Sequence, residues 1–233
     1  MIELVVAGEA RAYPLEILVW HEIVNDELGG RRVAVTFCPL CNTALVFDPV
    51  IEGRVLEFGT TGLLRNSDLV MYDRQTETWC QQFGGLGLIG DLAGTRLRRL
   101  PGRIVSWDAF ASAPAGTVVG RDTGHDRPYG TNPYPGYDDA ESGPWFAARN
   151  EDDRRLLPKE RVVFVEHAGE AVAVPLSALR GGRTVRVGLG GRELTVRIAG
   201  GGGDVRSGGR AIPHTEPFWF AVAAVRPNVR IAR

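Results

Sequence analysis

The chain contains 233 residues, of which 27 are basic and 28 acidic, and its formal net charge is −1. This balance provides no strong field for nucleic acid or an anionic membrane, so neither is expected as a partner. No apolar run approaches the ~20 residues of a membrane span, which predicts a soluble protein, cytoplasmic as the sequence stands and exported if the N-terminus is truncated. Three cysteines are too few for a disulfide scaffold, and 30 glycines with 14 prolines favour short strands and many turns.

A twelve-residue repeat organises the predicted elements. The segment AGEARAYPLEIL at residues 7–18 and the segment AGEAVAVPLSAL at residues 168–179 are identical at eight positions. Each predicts a strand, a turn centred on glycine, a second strand and a helix whose first turn holds Pro14 or Pro175. Both copies continue through a Gly-Gly turn into another strand. The sequence therefore predicts an α+β fold, rich in β-structure, with two related strand-turn-strand-helix-strand halves from an internal duplication.

The same pattern predicts how the chain is divided. Residues 1–122 form the first half, which carries the CPLC motif described below. Residues 123–158 form a long connecting loop rich in Pro, Gly and Tyr, and its aromatic side chains favour an ordered path over the surface or a site. Residues 159–233 form the second half and end in a helix that is predicted to be buried.

Two shorter segments have clear signals of their own. Residues 103–119 predict a strand, a short helix capped near Ser106 and a further strand. The terminal segment HTEPFWFAVAAVRP predicts the buried helix, ended by Pro227, with Phe218, Trp219 and Phe220 in the core.

The two copies differ by segments that only the first contains. These are VWHEIVNDEL and CPLCNTALVFDP, and they bring His21, Cys38 and Cys41 together in sequence. Residues added to one copy of a duplicated scaffold are where specific chemistry is expected. An apolar series at helical spacing between residues 17 and 28 predicts a helix from Pro14 that turns His21 inward.

The CPLC motif lies between two apolar runs, which predicts a strand, a tight turn and a strand. Thioredoxin-type enzymes instead place CxxC at the start of a helix. A c-type haem site needs histidine directly after the second cysteine, where this chain has Asn42. A zinc knuckle needs two more ligands, and the sequence has no second CxxC to supply them. Any metal site must therefore be assembled across the fold, and its candidate ligands beyond the motif are His21, Met71, Cys80, His125 and His214.

Three functions are compatible with these residues. Cys38 and Cys41 with His21 and His214 suit a soft transition metal, copper first and zinc second, in a protein that is also redox-active. The alternative is a thiol-dependent oxidoreductase in which Cys38 attacks, Cys41 resolves and His21 acts as the base. In the third function the cysteines are structural and the Tyr-rich loop binds a ligand. A small molecule or a metal donor is the expected partner.

A polar cluster after the motif contributes further candidates. The segment LLRNSDLVMYDRQTETWCQQF predicts a hairpin, and Arg65, Asp68 and Gln82 are expected to line a cofactor pocket beside the cysteines.

Several of these segments resemble one protein family. RAYPLEILVWHEIVND, GGRRVAVTFCPLCNTALVFD, GLLRNSDLVMYDRQTETW and PFWFAVAAVRP resemble a bacterial and archaeal family defined only as domain of unknown function 3179. The resemblance covers nearly the whole chain and implies no particular activity. It implies that Cys80 lies outside any site common to the family, because related sequences commonly have an aromatic residue there.

Overall fold

Short β-strands joined by tight turns form most of the computed structural model, which describes residues 1–113 and 116–233. The strands of the first part are β1 (Ile2–Val6), β2 (Glu9–Tyr13), β3 (Ile23–Leu28), β4 (Arg31–Cys38), β5 (Thr43–Asp48), β6 (Val50–Ile51), β7 (Arg54–Val55), β8 (Phe58–Arg65), β9 (Asp68–Asp73), β10 (Trp79–Gln81) and β11 (Leu86–Ile89). The later strands are β12 (Arg98–Leu100), β13 (Arg103–Ile104), β14 (Gly116–Val118), β15 (Val162–His167), β16 (Glu170–Pro175), β17 (Thr184–Leu189), β18 (Arg192–Ala199), β19 (Gly202–Ser207), β20 (Arg210–Ala211) and β21 (Arg230–Ile231). The helices in these residues are α1 (Leu15–His21), α2 (Trp107–Ala111), a 3₁₀ helix (Leu176–Gly182) and α3 (Trp219–Val225).

Within the described residues the strands pair into five main sheets. They are sheet A, with strand order β13-β1-β2-β14; sheet B, β12-β5-β4-β3; sheet C, β11-β10-β9-β8; sheet D, β15-β16-β21; and sheet E, β17-β18-β19-β20. Neighbouring strands in them are antiparallel, except that β14 runs parallel to β2 and β21 runs parallel to β16. Strands β6 and β7 form a separate hairpin.

Contacts between neighbouring sheets close them into a five-bladed β-propeller arrangement. Buried apolar clusters join sheet A to B, sheet B to C and D, and sheet D to E. Between C and D, the rings of Phe83 and Phe164 meet edge to face with centroids 5.4 Å apart. Sheet E meets sheet A where Gly202 packs against Ile104, so tightly that a Cβ at Gly202 would overlap the Ile104 carbonyl group.

The predicted fold class is therefore wrong. The structure is a β-propeller arrangement with only about 11% helix in the described chain, and it is not an α+β fold of two halves. The repeated segments do form similar hairpins. In the first turn φ is 50° at Ala7 and 86° at Gly8, and in the second turn it is 50° at Ala168 and 82° at Gly169. Each hairpin, however, belongs to one sheet of the arrangement, and distant strands complete that sheet. The repeat therefore predicts only the hairpin, because a turn depends on residues that are neighbours in the sequence. The other strands of each sheet come from distant parts of the chain.

The helix predicted from Pro14 is also shorter than expected. It ends at His21, Glu22 follows in the left-handed region with φ of 60°, and the chain continues as β3. Val24 pairs with Val35 of β4 in that strand. Val24 and Leu28 fit the period of a strand as well as that of a helix, and pairing with β4 determined the outcome.

Other local predictions are confirmed. The Ser106 side chain accepts a hydrogen bond from the Ala109 N–H and caps α2, although Pro114 and Ala115 of the predicted strand-helix-strand segment lie outside the described residues. Helix α3 is buried along its length until Val225. Residues 123–158 contain no helix or strand. Among the described residues, no helix is long and apolar enough to cross a membrane.

Candidate functional site

Two cysteines and one aspartate converge inside the protein. Cys38 ends β4, Cys41 lies in the turn that follows, and Asp68 begins β9. Their sulfur and carboxylate oxygen atoms all lie within 4.8 Å of one another, and this is the one group of three such donors found among the described residues. The exposed fraction is 0% for both cysteines and 1% for Asp68. This group is called the thiol–carboxylate cluster below.

The turn of the CPLC motif brings both sulfurs to the same side. Cys38 pairs with Thr43 across sheet B, so the chain must reverse within residues 39–42. Asn42 takes a φ of 55° to close the turn, in a region that asparagine adopts more easily than most residues. The Cys41 Sγ lies 3.9 Å from the Cys38 carbonyl oxygen. The prediction of a strand, a tight turn and a strand at this motif is therefore confirmed.

Three hydrogen bonds from two distant segments fix this turn. The Tyr137 hydroxyl donates to the Leu40 carbonyl at 2.9 Å. The Asn42 side-chain amide donates to the Glu216 carbonyl at 2.7 Å. The Phe218 N–H donates to the Cys41 carbonyl at 3.0 Å. The long loop and the segment before α3 therefore both contribute to the position of the cysteines.

A chain of polar side chains continues from the cluster into sheets B and C. The Cys41 Sγ lies 3.1 Å from Asp68 Oδ1 and 2.9 Å from Thr43 Oγ1. The Thr43 hydroxyl donates to Gln82 Oε1 at 2.5 Å, and Asp68 Oδ2 accepts the Phe83 N–H at 2.9 Å. Because the Thr43 proton is used by Gln82, the single Cys41 proton faces two acceptors. The Cys41 thiol donates to Asp68 Oδ1, which accepts this proton as a carboxylate oxygen.

Burial changes the acidities of these groups. It raises the pKa of the Cys41 thiol well above its usual range, and the neighbouring Cys38 and Asp68 raise it further. Burial also raises the pKa of Asp68 to about 6, although the Phe83 N–H and the Cys41 thiol oppose this change. The site therefore favours neutral forms unless a cation is present.

A second carboxyl group lies close enough for its pKa to depend on the charge of Asp68. Burial raises the pKa of Glu22 to about 7, and the charge of Asp68 contributes to the shift. Among the described residues, the Glu22 carboxyl makes no hydrogen bond or ion pair. The Tyr134 hydroxyl is nearby as well, since its pKa is raised first by burial and then by Glu22 and Cys38. Glu22 was missed from the sequence, although it lies in the VWHEIVNDEL segment that only the first copy contains.

The histidines predicted for this site lie elsewhere. The His21 Nε2 is 2.5 Å from the Tyr129 hydroxyl, and its ring centroid is 5.3 Å from that of His125. Both ring nitrogens of His214 face backbone carbonyl groups, those of Ile212 at 2.9 Å and Gly203 at 3.0 Å. Neither histidine belongs to the thiol–carboxylate cluster of the described residues. Their catalytic and metal-binding roles stay predictions.

The predicted polar pocket is divided between two places. Asp68 and Gln82 do lie beside the cysteines, through the contacts given above. Arg65 instead donates to Gln81 Oε1 at 2.6 Å and lines a separate cavity. Cys80 is buried in β10, where burial raises the pKa of its thiol to about 12. The cofactor-binding role of Arg65 stays a prediction.

A cavity of about 300 Å³ lies on the outer side of the CPLC turn. Its lining includes Pro39 and Asn42 of the turn and Tyr134 and Tyr137 of the long loop. The Lys159 ammonium lies 3.7 Å from the centroid of the Tyr137 ring. We call this space the loop cavity; its lining fits the role in ligand binding predicted for the Tyr-rich loop, which stays a prediction.

Together these features define a class: a β-propeller protein with a buried pair of thiols and a carboxylate at one turn. The chain belongs to the DUF3179 family, described as proteins of unknown function, whose family model matches residues 1–210. The family membership predicted from the sequence is thus confirmed, and the matched residues include the whole thiol–carboxylate cluster. No curated protein and no solved structure matches the chain.

Proposed function

We propose that this protein binds a transition-metal ion at Cys38, Cys41 and Asp68, with zinc as the first candidate. The observation that carries the proposal is the convergence of their three donor atoms within 4.8 Å in a fully buried place. In a tetrahedral zinc site with bonds of about 2.3 Å, two sulfurs are about 3.8 Å apart. The side chains therefore need only small movements to meet a shared ion.

The donor set determines the order of the candidate metals. Thiolates suit both zinc and reduced copper, but a carboxylate oxygen is a hard ligand that zinc accepts more readily than reduced copper does. Copper was the first choice from the sequence because a histidine was expected beside the cysteines. With Asp68 in that place, zinc comes first and copper second.

A metal ion would supply the positive charge that stabilises the ionised thiols and carboxylate of the cluster. The Cys41 thiol holds its proton at neutral pH because burial raises its pKa. A dication would replace the thiol protons, and two thiolates with one carboxylate would more than balance its charge. Binding is therefore expected to release protons and to weaken as the pH falls.

The decisive experiment measures metal content and affinity. Protein purified without chelators is analysed for metals, and the metal-free protein is then titrated with zinc and with reduced copper against a competing chelator. We expect one equivalent of zinc for the wild type and a large loss of affinity for Cys41→Ser and Asp68→Asn.

Cys80→Ser is the matched control, because Cys80 is also a buried cysteine but lies outside the thiol–carboxylate cluster. It should bind zinc like the wild type. A wild type that binds neither metal, or a Cys41→Ser variant that binds as tightly as the wild type, would contradict the proposal.

A dithiol–disulfide function is the second candidate, and one contact favours it. The Cys41 thiol lies 3.1 Å from Asp68 Oδ1, whose pKa of about 6 suits a base near neutral pH. Asp68 would then take the role first predicted for His21. Closing the Cys38–Cys41 disulfide would release two protons and pass two electrons to an external disulfide, which would be reduced to two thiols. Equilibration with a glutathione couple distinguishes the two functions, because a zinc site resists oxidation until the metal is removed.

A further inference from the structure

A second cavity, of about 190 Å³, carries a strong positive charge. We call it the arginine cavity, because among the described residues four arginines and one glutamate contribute to its lining, for a net charge of +3. The charged residues are Arg65, Arg96, Arg149, Arg226 and Glu166. They come from sheets C and D, the segment between β11 and β12, the long loop and the end of α3, so only the folded chain brings them together.

The single acidic group in this lining is already paired. Glu166 accepts from Arg226 at 2.7 Å and from Arg99 at 2.9 Å. Within the described residues, Arg65, Arg96 and Arg149 have no acidic partner. Three arginines therefore line one small cavity without an acidic partner from the protein, and their positive charge is available to an anionic ligand.

The protein holds part of this arrangement in place with neutral acceptors. Arg65 Nη1 donates to Gln81 Oε1 at 2.6 Å, and Arg96 Nη1 donates to the Gly84 carbonyl at 3.2 Å. The Arg149 backbone N–H donates to Asn66 Oδ1 at 3.3 Å, which places this residue of the long loop beside the β8–β9 turn. The first two bonds orient the guanidinium groups of Arg65 and Arg96 and leave their charge available.

We infer that the arginine cavity binds a phosphate group of a small molecule. A guanidinium group matches phosphate oxygens with two parallel donors, and the phosphate carries up to two negative charges. One carboxylate would balance only one of the three free arginines. A volume of about 190 Å³ is enough for one such group and leaves the rest of the ligand outside.

The cavity also adjoins the thiol–carboxylate cluster. Arg65, which lines the cavity, pairs with Asp68 of the cluster across the β8–β9 hairpin. A ligand in the arginine cavity and an ion at the cluster would therefore contact residues that are paired in the same hairpin. The phosphate inference does not depend on metal binding.

The test is calorimetric titration with inorganic phosphate at low ionic strength. We expect saturable binding at one site, weaker by about tenfold or more in Arg149→Gln and in Arg96→Gln, since each variant loses a charge-assisted hydrogen bond. Both arginines are exposed at the surface, so the variants should fold, which circular dichroism checks. Arg186→Gln, an exposed arginine of β17 that lies outside the cavity, is the matched control and should bind like the wild type.

Succinate provides the second arm, because it carries the same charge on two carboxylates. Weaker binding of succinate than of phosphate supports the inference. Succinate binding as tight as that of phosphate would overturn the assignment of phosphate. Absence of saturable phosphate binding, or equal binding by Arg149→Gln and the wild type, would overturn the site itself.

Discussion

Replacing Asp68 by asparagine should change how the stability of the metal-free protein depends on pH. The folded state holds the Asp68 carboxyl with a pKa of about 6, against an ordinary value of 3.8, mainly because of burial. Between these two values the folded state binds more protons than the unfolded state does. The contribution of Asp68 to the free energy of unfolding of the wild type therefore falls as the pH rises from about 4 to about 6.

The magnitude follows from the size of the pKa shift. From 3.8 to about 6 the difference is about two units, and at about 1.4 kcal/mol per unit the ionised Asp68 costs about 3 kcal/mol above pH 6. Asp68→Asn removes this cost but replaces one acceptor oxygen by an N–H donor, which loses the bond from Cys41 or from Phe83 at about 1 kcal/mol. That loss does not depend on pH, so the slope is the diagnostic quantity.

Urea unfolding at pH values from about 4 to 8, with a chelator present, measures the slope. The wild type should lose about 3 kcal/mol more than Asp68→Asn over this range. Asp48→Asn is the control, and its loss over this range should match that of the wild type, because the Asp48 contribution changes only below about pH 4. Although burial raises the pKa of Asp48, hydrogen bonds from Arg31 and the Val50 N–H keep it below its ordinary value. The charge of Asp48 therefore stabilises the fold above pH 4, and this contribution is lost as the pH falls.

One result would refute this reasoning. If wild type and Asp68→Asn lose the same free energy of unfolding between pH 4 and pH 8, the Asp68 carboxyl is not perturbed by burial. The case for a cluster that awaits a cation would then lose its electrostatic support.

Three further changes test other parts of the structure. In Glu22→Gln the stability should fall less steeply as the pH approaches 7, because the pKa of Glu22 is raised to about 7; an unchanged profile would place this carboxyl in solvent. Asn42→Ala should lower the free energy of unfolding by about 1–2 kcal/mol and Asn42→Gly by less, since only glycine accepts the φ of 55° without strain; equal losses would exclude strain at this turn. Gly202→Ala should cost about 1–3 kcal/mol, because its Cβ would overlap the Ile104 carbonyl, whereas Gly188→Ala, with open space around it, should cost far less in the same urea titration.

The candidate site was only partly predictable from the sequence. Cys38 and Cys41 were identified because the CxxC spacing and the predicted turn are local properties. Asp68 and Gln82 were named as neighbours of the cysteines, and the hairpins of sheets B and C do bring them there. Glu22 was missed because the predicted helix continued through it, and a helix would not have placed its backbone at φ of 60°. The burial of a carboxyl group depends on long-range packing, so no local sequence pattern predicts it.

The sequence by itself determined the short strands, the two-residue turns, the Ser106 cap of α2 and the buried helix α3, because each depends on residues a few positions apart. Only the tertiary structure decided that the hairpins form a five-bladed arrangement. Sheet A is completed by β13 and β14, about one hundred residues from β1, and sheet D by β21 at the end of the chain. The arrangement of the sheets depends on which apolar faces pack together although they are far apart in the sequence. The same long-range packing brings Asp68 to the cysteines and four arginines to one cavity.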